Sequence, residues 1–208
     1  DAGPRGWIDA EQAAELLEPD EFYDVEVIDL LSVENTVGGA GGRVMPIEEH
    51  RTIRKVASDS GVPIHLDGAR IFNAAAAADV DAADIAAEVD TVMFCLSKGL
   101  GAPIGSVLRG PADMAREARR LKILYGGAWR QAGIVAAAGL IALEEGPKRL
   151  HEDHERARQL AEGLAEALPG SVDLDQVERR SNHFEKRTLT RQRGERDARG
   201  AAAACRPA

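Results

Sequence analysis

Aromatic residues are scarce: four Phe, two Tyr and two Trp make up 4% of the 208 residues. A core without large rings must be assembled from Ala, Val, Leu and Ile, which suits helices packed on a sheet. Cysteine is nearly absent, with only Cys95 and Cys205. Cys95 lies in an apolar strand-like run, so a buried thiol in a reducing compartment is expected and a disulfide framework is not. Long hydrophobic runs are missing as well. The longest, near Ala74–Ala78 and Ile134–Leu143, are short and rich in small residues, which argues against a membrane partner. Asp1–Gly6 carry neither a basic start nor an apolar stretch, so a cytoplasmic location is expected.

Charge is plentiful but uneven. From Arg179 to Ala208 there are nine Lys or Arg against three Asp or Glu, a net of +6; with a total of −9, residues 1–178 carry −15. Acidity of that size disfavours nucleic acid as a partner of the body. Residues 178–208 are Arg-rich and apolar-poor, with too little apolar surface to offset chain entropy, and read as a basic, disordered tail.

Elements alternate along the chain. Asp9 with Gln12 forms a capping-box signal for a helix over Ala10–Leu17. Val25–Val33 reads as a strand. Pro46 opens a helix with apolar Ile47, Ile53, Val56 and Ala57 that closes before Gly61. Strands are expected at Val62–Leu66, Thr91–Leu96 and Gly105–Leu108, and helices at Ala69–Ala78 and Ala82–Val89. Beyond Pro111 come three helical stretches, Ala112–Leu124, Trp129–Glu144 and Pro147–Leu168. This order predicts an α/β fold with a mainly parallel sheet covered by helices.

Two segments place ionisable residues where a strand runs out into small residues. They are His65-Leu66-Asp67-Gly68-Ala69-Arg70 and Ser97-Lys98-Gly99-Leu100-Gly101-Ala102-Pro103-Ile104-Gly105-Ser106. Ligands of open α/β sheets bind at the carboxyl ends of strands, so Asp67 and Lys98 could converge on one crevice. Each also has a plainer reading: Asp before Gly is a common turn residue, and Lys98 could be a surface lysine in a Gly-rich loop. Arg70 has the planar fork suited to a carboxylate or phenolate oxygen. Gly38–Gly42 lacks the order of a nucleotide-phosphate loop and reads as a connection. His50, and His151 with His154 among Glu152, Asp153 and Glu155, read as solvated helical faces rather than a metal site.

The pair HLDGARIFNA and SKGLGAPIGS is similar to the low-specificity threonine aldolases within the aromatic amino acid β-eliminating lyase group. Shorter pieces agree in order: Glu34-Asn35-Thr36, Gly42-Arg43-Val44 leading to Pro46, Gly126-Gly127 before Trp129-Arg130-Gln131, and Arg149-Leu150 with Glu152-Asp153-His154. The likeness runs over about residues 5 to 177.

That resemblance implies an aspartate-aminotransferase-like fold. Residues 1–146 would be part of a large domain that binds pyridoxal 5'-phosphate, and 147–177 a linking helix and the start of a small domain. It implies that Lys98 forms the covalent imine with the cofactor, that Asp67 pairs with the pyridine nitrogen, and that His65 supports Asp67. Arg70 would stand by the ring oxygen and the substrate carboxylate. The implied reaction is retro-aldol cleavage of threonine or related β-hydroxy-α-amino acids to glycine and an aldehyde, in a homodimer or homotetramer. No metal is implied. Another pyridoxal-phosphate lyase, an aminotransferase-like enzyme and an inactive truncated remnant are the alternatives. The pattern also departs from the family's: Val37 stands where a histidine is usual and Trp129 where Met is usual. The family's phosphate-binding residues, stacking histidine and C-terminal substrate arginine have no counterpart, which predicts a fragment.

Overall fold

The computed structural model describes residues 5–18, 28–172, 174 and 177. Helix α1 (Ala10–Leu17) starts at the expected capping box: Asp9 Oδ1 accepts from the Gln12 N–H at 3.0 Å, and Gln12 Oε1 accepts from the Asp9 N–H at 3.1 Å. Strand β1 (Leu31–Glu34) follows; residues 25–27 of the expected strand lie outside the described residues. A 3-10 turn at Gly38–Ala40 leads to α2 (Ile47–Asp59), whose chain reverses at Gly61 with φ +70°. Then come β2 (Ile64–Asp67), α3 (Ile71–Ala78), α4 (Ala82–Ala87), β3 (Thr91–Cys95) and β4 (Ser106–Arg109). Three further helices, α5 (Ala112–Leu124), α6 (Gly133–Glu145) and α7 (Leu150–Ala167), complete the described chain.

Strands β1, β2 and β3 are parallel neighbours, and β4 returns antiparallel to β3. The sheet is mainly parallel, as the alternation of elements predicts. Leu31, Val33, Ile64, Leu66 and Val92 point into one core with Ile53 and Ala57 of α2, Ile71 and Ala74 of α3 and Ile85 of α4. Alternate residues of the same strands, Ser32, Glu34, His65 and Asp67, stay half-buried or exposed. Period-two alternation therefore sorts the carboxylates away from the core. A second cluster joins Leu100 and Ala102 of the β3–β4 loop to Ala142 and Leu150. No helix among the described residues is long and apolar enough to cross a membrane.

Several boundaries differ from expectation: β1 starts at Leu31, β2 runs from Ile64 to Asp67, α4 ends at Ala87, and α7 starts at Leu150 after a 3-10 turn over Pro147–Arg149, while the starts of α3 and α6 also shift. Helix α3 starts at Ile71 rather than Ala69, because Asp67 Oδ1 accepts the Ala69 N–H at 3.1 Å and Ile71 N–H closes on the Gly68 carbonyl at 2.8 Å. The local turn captures the donors a longer helix would need. Helix α6 starts at Gly133 rather than Trp129, since a segment apolar on every side has no periodicity to mark its first turn.

Candidate active site

Asp67 is the last residue of β2, in register with Glu34 of β1 and Met93 of β3. Its carbonyl accepts the Asn35 N–H at 3.1 Å, so the β1 exit is stitched to the β2 exit. The following Gly68 donates its N–H to the Met93 carbonyl at 2.8 Å, and a Cβ there would stand only 3.0 Å from that oxygen. A side chain there would press on the β3 backbone immediately beside Asp67.

Lys98 stands three residues beyond the end of β3 and is exposed. Because β2 and β3 are parallel, Asp67 and Lys98 leave the same edge of the sheet. The loop is shaped by a turn in which Gly101 N–H bonds the Lys98 carbonyl at 3.0 Å, with Gly101 at φ +82°. Ala102 N–H then returns to the Leu96 carbonyl at 3.0 Å, and Leu96 N–H bonds the Gly105 carbonyl at 2.9 Å, leading into β4. The loop is a hydrogen-bonded hairpin closed around Lys98.

Arg70 occupies the position before α3 and is half-buried. Its guanidinium reaches the Gly-rich segment after β1: a Cβ on Gly38 would lie 3.8 Å from Arg70 Nη1 and 3.2 Å from Glu34 Oε1. Glu34 Oε1 accepts the Gly38 N–H at 3.0 Å. The 38–42 connection is thereby held against the strand ends. His65 bonds Thr91 Oγ1 of the neighbouring strand at 2.8 Å, so its described hydrogen bond goes across the sheet rather than along its own strand to Asp67. Cys95 ends β3 half-buried, less enclosed than its apolar run suggests.

The histidines correct the sequence reading. His50 and His154 were expected on solvated faces, yet both are buried, at 2% and 3% exposure. Each faces an amide: Asn35 Nδ2 lies 3.0 Å from His50 Nε2, and Asn73 Nδ2 lies 3.2 Å from His154 Nε2. Only His151 is exposed as expected. Among the described residues no group of three His, Cys, Asp or Glu is placed to hold a metal ion.

A family model described as beta-eliminating lyase matches residues 2–186. The chain belongs to the beta-eliminating lyase family. It is 46% identical over 138 residues to the probable low-specificity L-threonine aldolase 2 of Arabidopsis thaliana, covering 66% of this chain and 39% of that protein. It is 40% identical over 167 residues to the low specificity L-threonine aldolase of Escherichia coli K12, covering 80% of this chain and 49% of that one. Among solved structures, a family protein of Exiguobacterium sp. 255-15, provisionally assigned as an aromatic amino acid beta-eliminating lyase/threonine aldolase, superposes with a TM-score of 0.66 at 32% identity. That likeness covers 74% of this chain and 43% of the other. The chain thus spans about half, or less, of the length of these relatives. The family's fold is the one described: part of an aspartate-aminotransferase-like α/β unit.

Proposed function

We propose that the protein acts as, or contributes the central part of, a pyridoxal-phosphate-dependent aldehyde-lyase that cleaves threonine or related β-hydroxy-α-amino acids to glycine and an aldehyde. The observation that carries the reading is the parallel pairing of β2 and β3, which brings Asp67 and Lys98 to one edge of the sheet in a chain of this family. Residues 1–146 form part of the cofactor-binding large domain, and 147–177 the link and start of the small one. Similarity to named threonine aldolases supports the choice of reaction.

The donor set suits pyridoxal phosphate. Lys98 is exposed and in no ion pair among the described residues, so its amine is accessible for an imine. Asp67 supplies a carboxylate for a protonated pyridine nitrogen, and its own Oδ1 is oriented by the Ala69 N–H. Arg70 supplies a planar cation for an oxygen of the ring or the substrate carboxylate. Bound, the cofactor supplies the electron sink for breaking the Cα–Cβ bond. Location in the cytoplasm and assembly as a homodimer or homotetramer complete the proposal.

The test is direct. Purified protein is titrated with pyridoxal phosphate and the visible absorbance of the lysine-bound cofactor is read, with Lys98→Ala as the comparison. The unmodified chain is expected to develop the band and the variant is not. Acetaldehyde release from threonine then separates an aldolase from another lyase or an inactive remnant. A band that forms equally in Lys98→Ala would overturn the assignment of the amine.

A further inference from the structure

The residue after Lys98 rests on a buried polar pair. A Cβ placed on Gly99 would stand 2.8 Å from Asn73 Oδ1, 3.3 Å from Asn73 Nδ2 and 3.0 Å from Leu150 Cδ2. The Gly99 backbone therefore lies directly on the Asn73 amide, and a Cβ there would force one of the two to shift. Asn73 comes from α3, the helix that Asp67-Gly68-Ala69-Arg70 leads into, and is 3% exposed. Its Nδ2 meets His154 Nε2 of α7 at 3.2 Å, across 81 residues of sequence. His154 lies one turn beyond Leu150 on the same face of α7, and Leu150 is 1% exposed. Leu100 and Ala102, on the far side of Gly99, are buried in the cluster that contains Leu150.

Two buried polar side chains need a reason to be there, because burial without partners is costly and apolar residues would fill the space. Here the amide joins three parts at one point: the helix after the Asp67 strand, the helix α7 and the backbone of the Lys98 loop. We propose that Asn73 and His154 are positioning residues for Lys98. The pair fixes the Gly99 peptide against α3, and so sets the Lys98 amine relative to Asp67. The inference rests on Lys98 being the amine that holds the cofactor, but the pinning of the loop stands on the geometry alone. Asn73 donates through Nδ2 and His154 accepts through an unprotonated Nε2, so the arrangement requires the neutral imidazole.

Hydrogen exchange tests the pinning without cofactor. In Asn73→Leu and His154→Leu, the Gly101 and Ala102 amides, which close the Lys98 hairpin, are expected to exchange at least tenfold faster, with β2 amides unchanged. His154→Gln keeps an acceptor opposite the Asn73 amide and is expected to restore protection to within about threefold. Gly99→Ala, which presses on Asn73 from the loop side, is expected to raise loop exchange with the pair intact; it and His154→Gln decide the matter should the leucine variants fail to fold. The second readout is the share of pyridoxal phosphate trapped on Lys98 by borohydride, against Lys55, Lys122 and Lys148, mapped by peptide mass. That share is expected to fall at least tenfold in the leucine variants and to recover in His154→Gln. Unchanged loop exchange in folded variants, or in Gly99→Ala, overturns the proposal. Preferential trapping elsewhere in the unmodified chain would overturn Lys98 as the cofactor amine, while the exchange data still decide whether the pair pins the loop.

Discussion

Asn35 presents its side-chain amide to Nε2 of His50 at 3.0 Å, and both residues are buried. The same amide bonds the Met45 backbone in both directions, Nδ2 donating to the carbonyl at 3.0 Å and Oδ1 accepting the N–H at 3.2 Å. Asn35 also donates its backbone N–H to Asp67. One residue thus ties the chain just before α2, helix α2 itself and the exit of β2 together, and His50 fits only as an acceptor. Loss of water around the ring pulls its pKa from the usual 6.5 down to about 4.

Acid stability follows from this pair. Unfolded, His50 takes up a proton near pH 6.5, and folded only near pH 4. Between those values the unfolded chain binds more protons, so stability falls as pH is lowered through the window and is insensitive to this group above it. The loss is about 1.4 kcal/mol per pH unit, which is on the order of 3 to 4 kcal/mol across the window. Urea unfolding of the unmodified chain and of His50→Gln between pH 7 and 4.5 checks it. The variant, without a titrating ring, is expected to show the shallower dependence; parallel curves would rule the account out.

A side chain at Gly68 is expected to be destabilising. A Cβ would stand 3.0 Å from the Met93 carbonyl oxygen, 3.0 Å from Val92 Cγ2 and 3.2 Å from Ile71 Cβ, and the first of these is backbone in the middle of the sheet. Gly68→Ala should destabilise by ~1–3 kcal/mol, the usual cost of overpacking. At Gly39, where nothing lies within 4 Å, the same change should stay within ~0.5 kcal/mol. Denaturant midpoints for the two variants, measured side by side, make the comparison.

These contacts mark where sequence reading stops. Asp9 with Gln12, Pro46 and Gly61 announce their elements because capping and chain reversal are local acts, complete within a few residues. Asp67 and Lys98 are legible for a related reason: each terminates an apolar run beside small residues, and a parallel sheet collects such ends on one edge. The burial of His50 and His154 is not local. On their own helices both sit among charged neighbours, whereas the amides that face them inside the protein, Asn35 and Asn73, are 15 and 81 residues away. The one available signal is a polar residue recurring in step with apolar ones: His154 falls four after Leu150, on the stripe that also carries Ala161.

Asp67 allows charge to be separated from structure. Asparagine at this position keeps Oδ1 for the Ala69 N–H, so folding stability should hold, whereas Asp67→Ala loses that bond at a cost of ~1 kcal/mol. A pyridine nitrogen needs the carboxylate, since only an anion favours its protonated form. Both variants should therefore bind pyridoxal phosphate roughly 10- to 100-fold more weakly, the worth of a charge-assisted hydrogen bond. Equilibrium dialysis against the cofactor, with thermal unfolding in its absence, gives the two numbers. Undiminished affinity in Asp67→Asn would remove Asp67 from the ring nitrogen.

The face formed by the end of α5 and by α6 predicts association. Ile123, Leu124 and Tyr125 are 67%, 65% and 81% exposed, and Ile134, Leu140 and Ile141 of α6 are 79%, 62% and 62% exposed. A helix apolar on every side is normally enclosed, and this one has only Gly139 and Ala142 buried among the described residues. Fully covering one such side chain is worth ~1.5–3 kcal/mol, so a face of this composition favours contact with another surface. Sedimentation velocity of the isolated chain is expected to show a mass that rises with concentration. Ile134→Lys should weaken that association about tenfold or more without lowering the unfolding temperature, because its side chain is in open solvent within the monomer. A chain that remains monomeric at high concentration would mean that this face is not self-complementary.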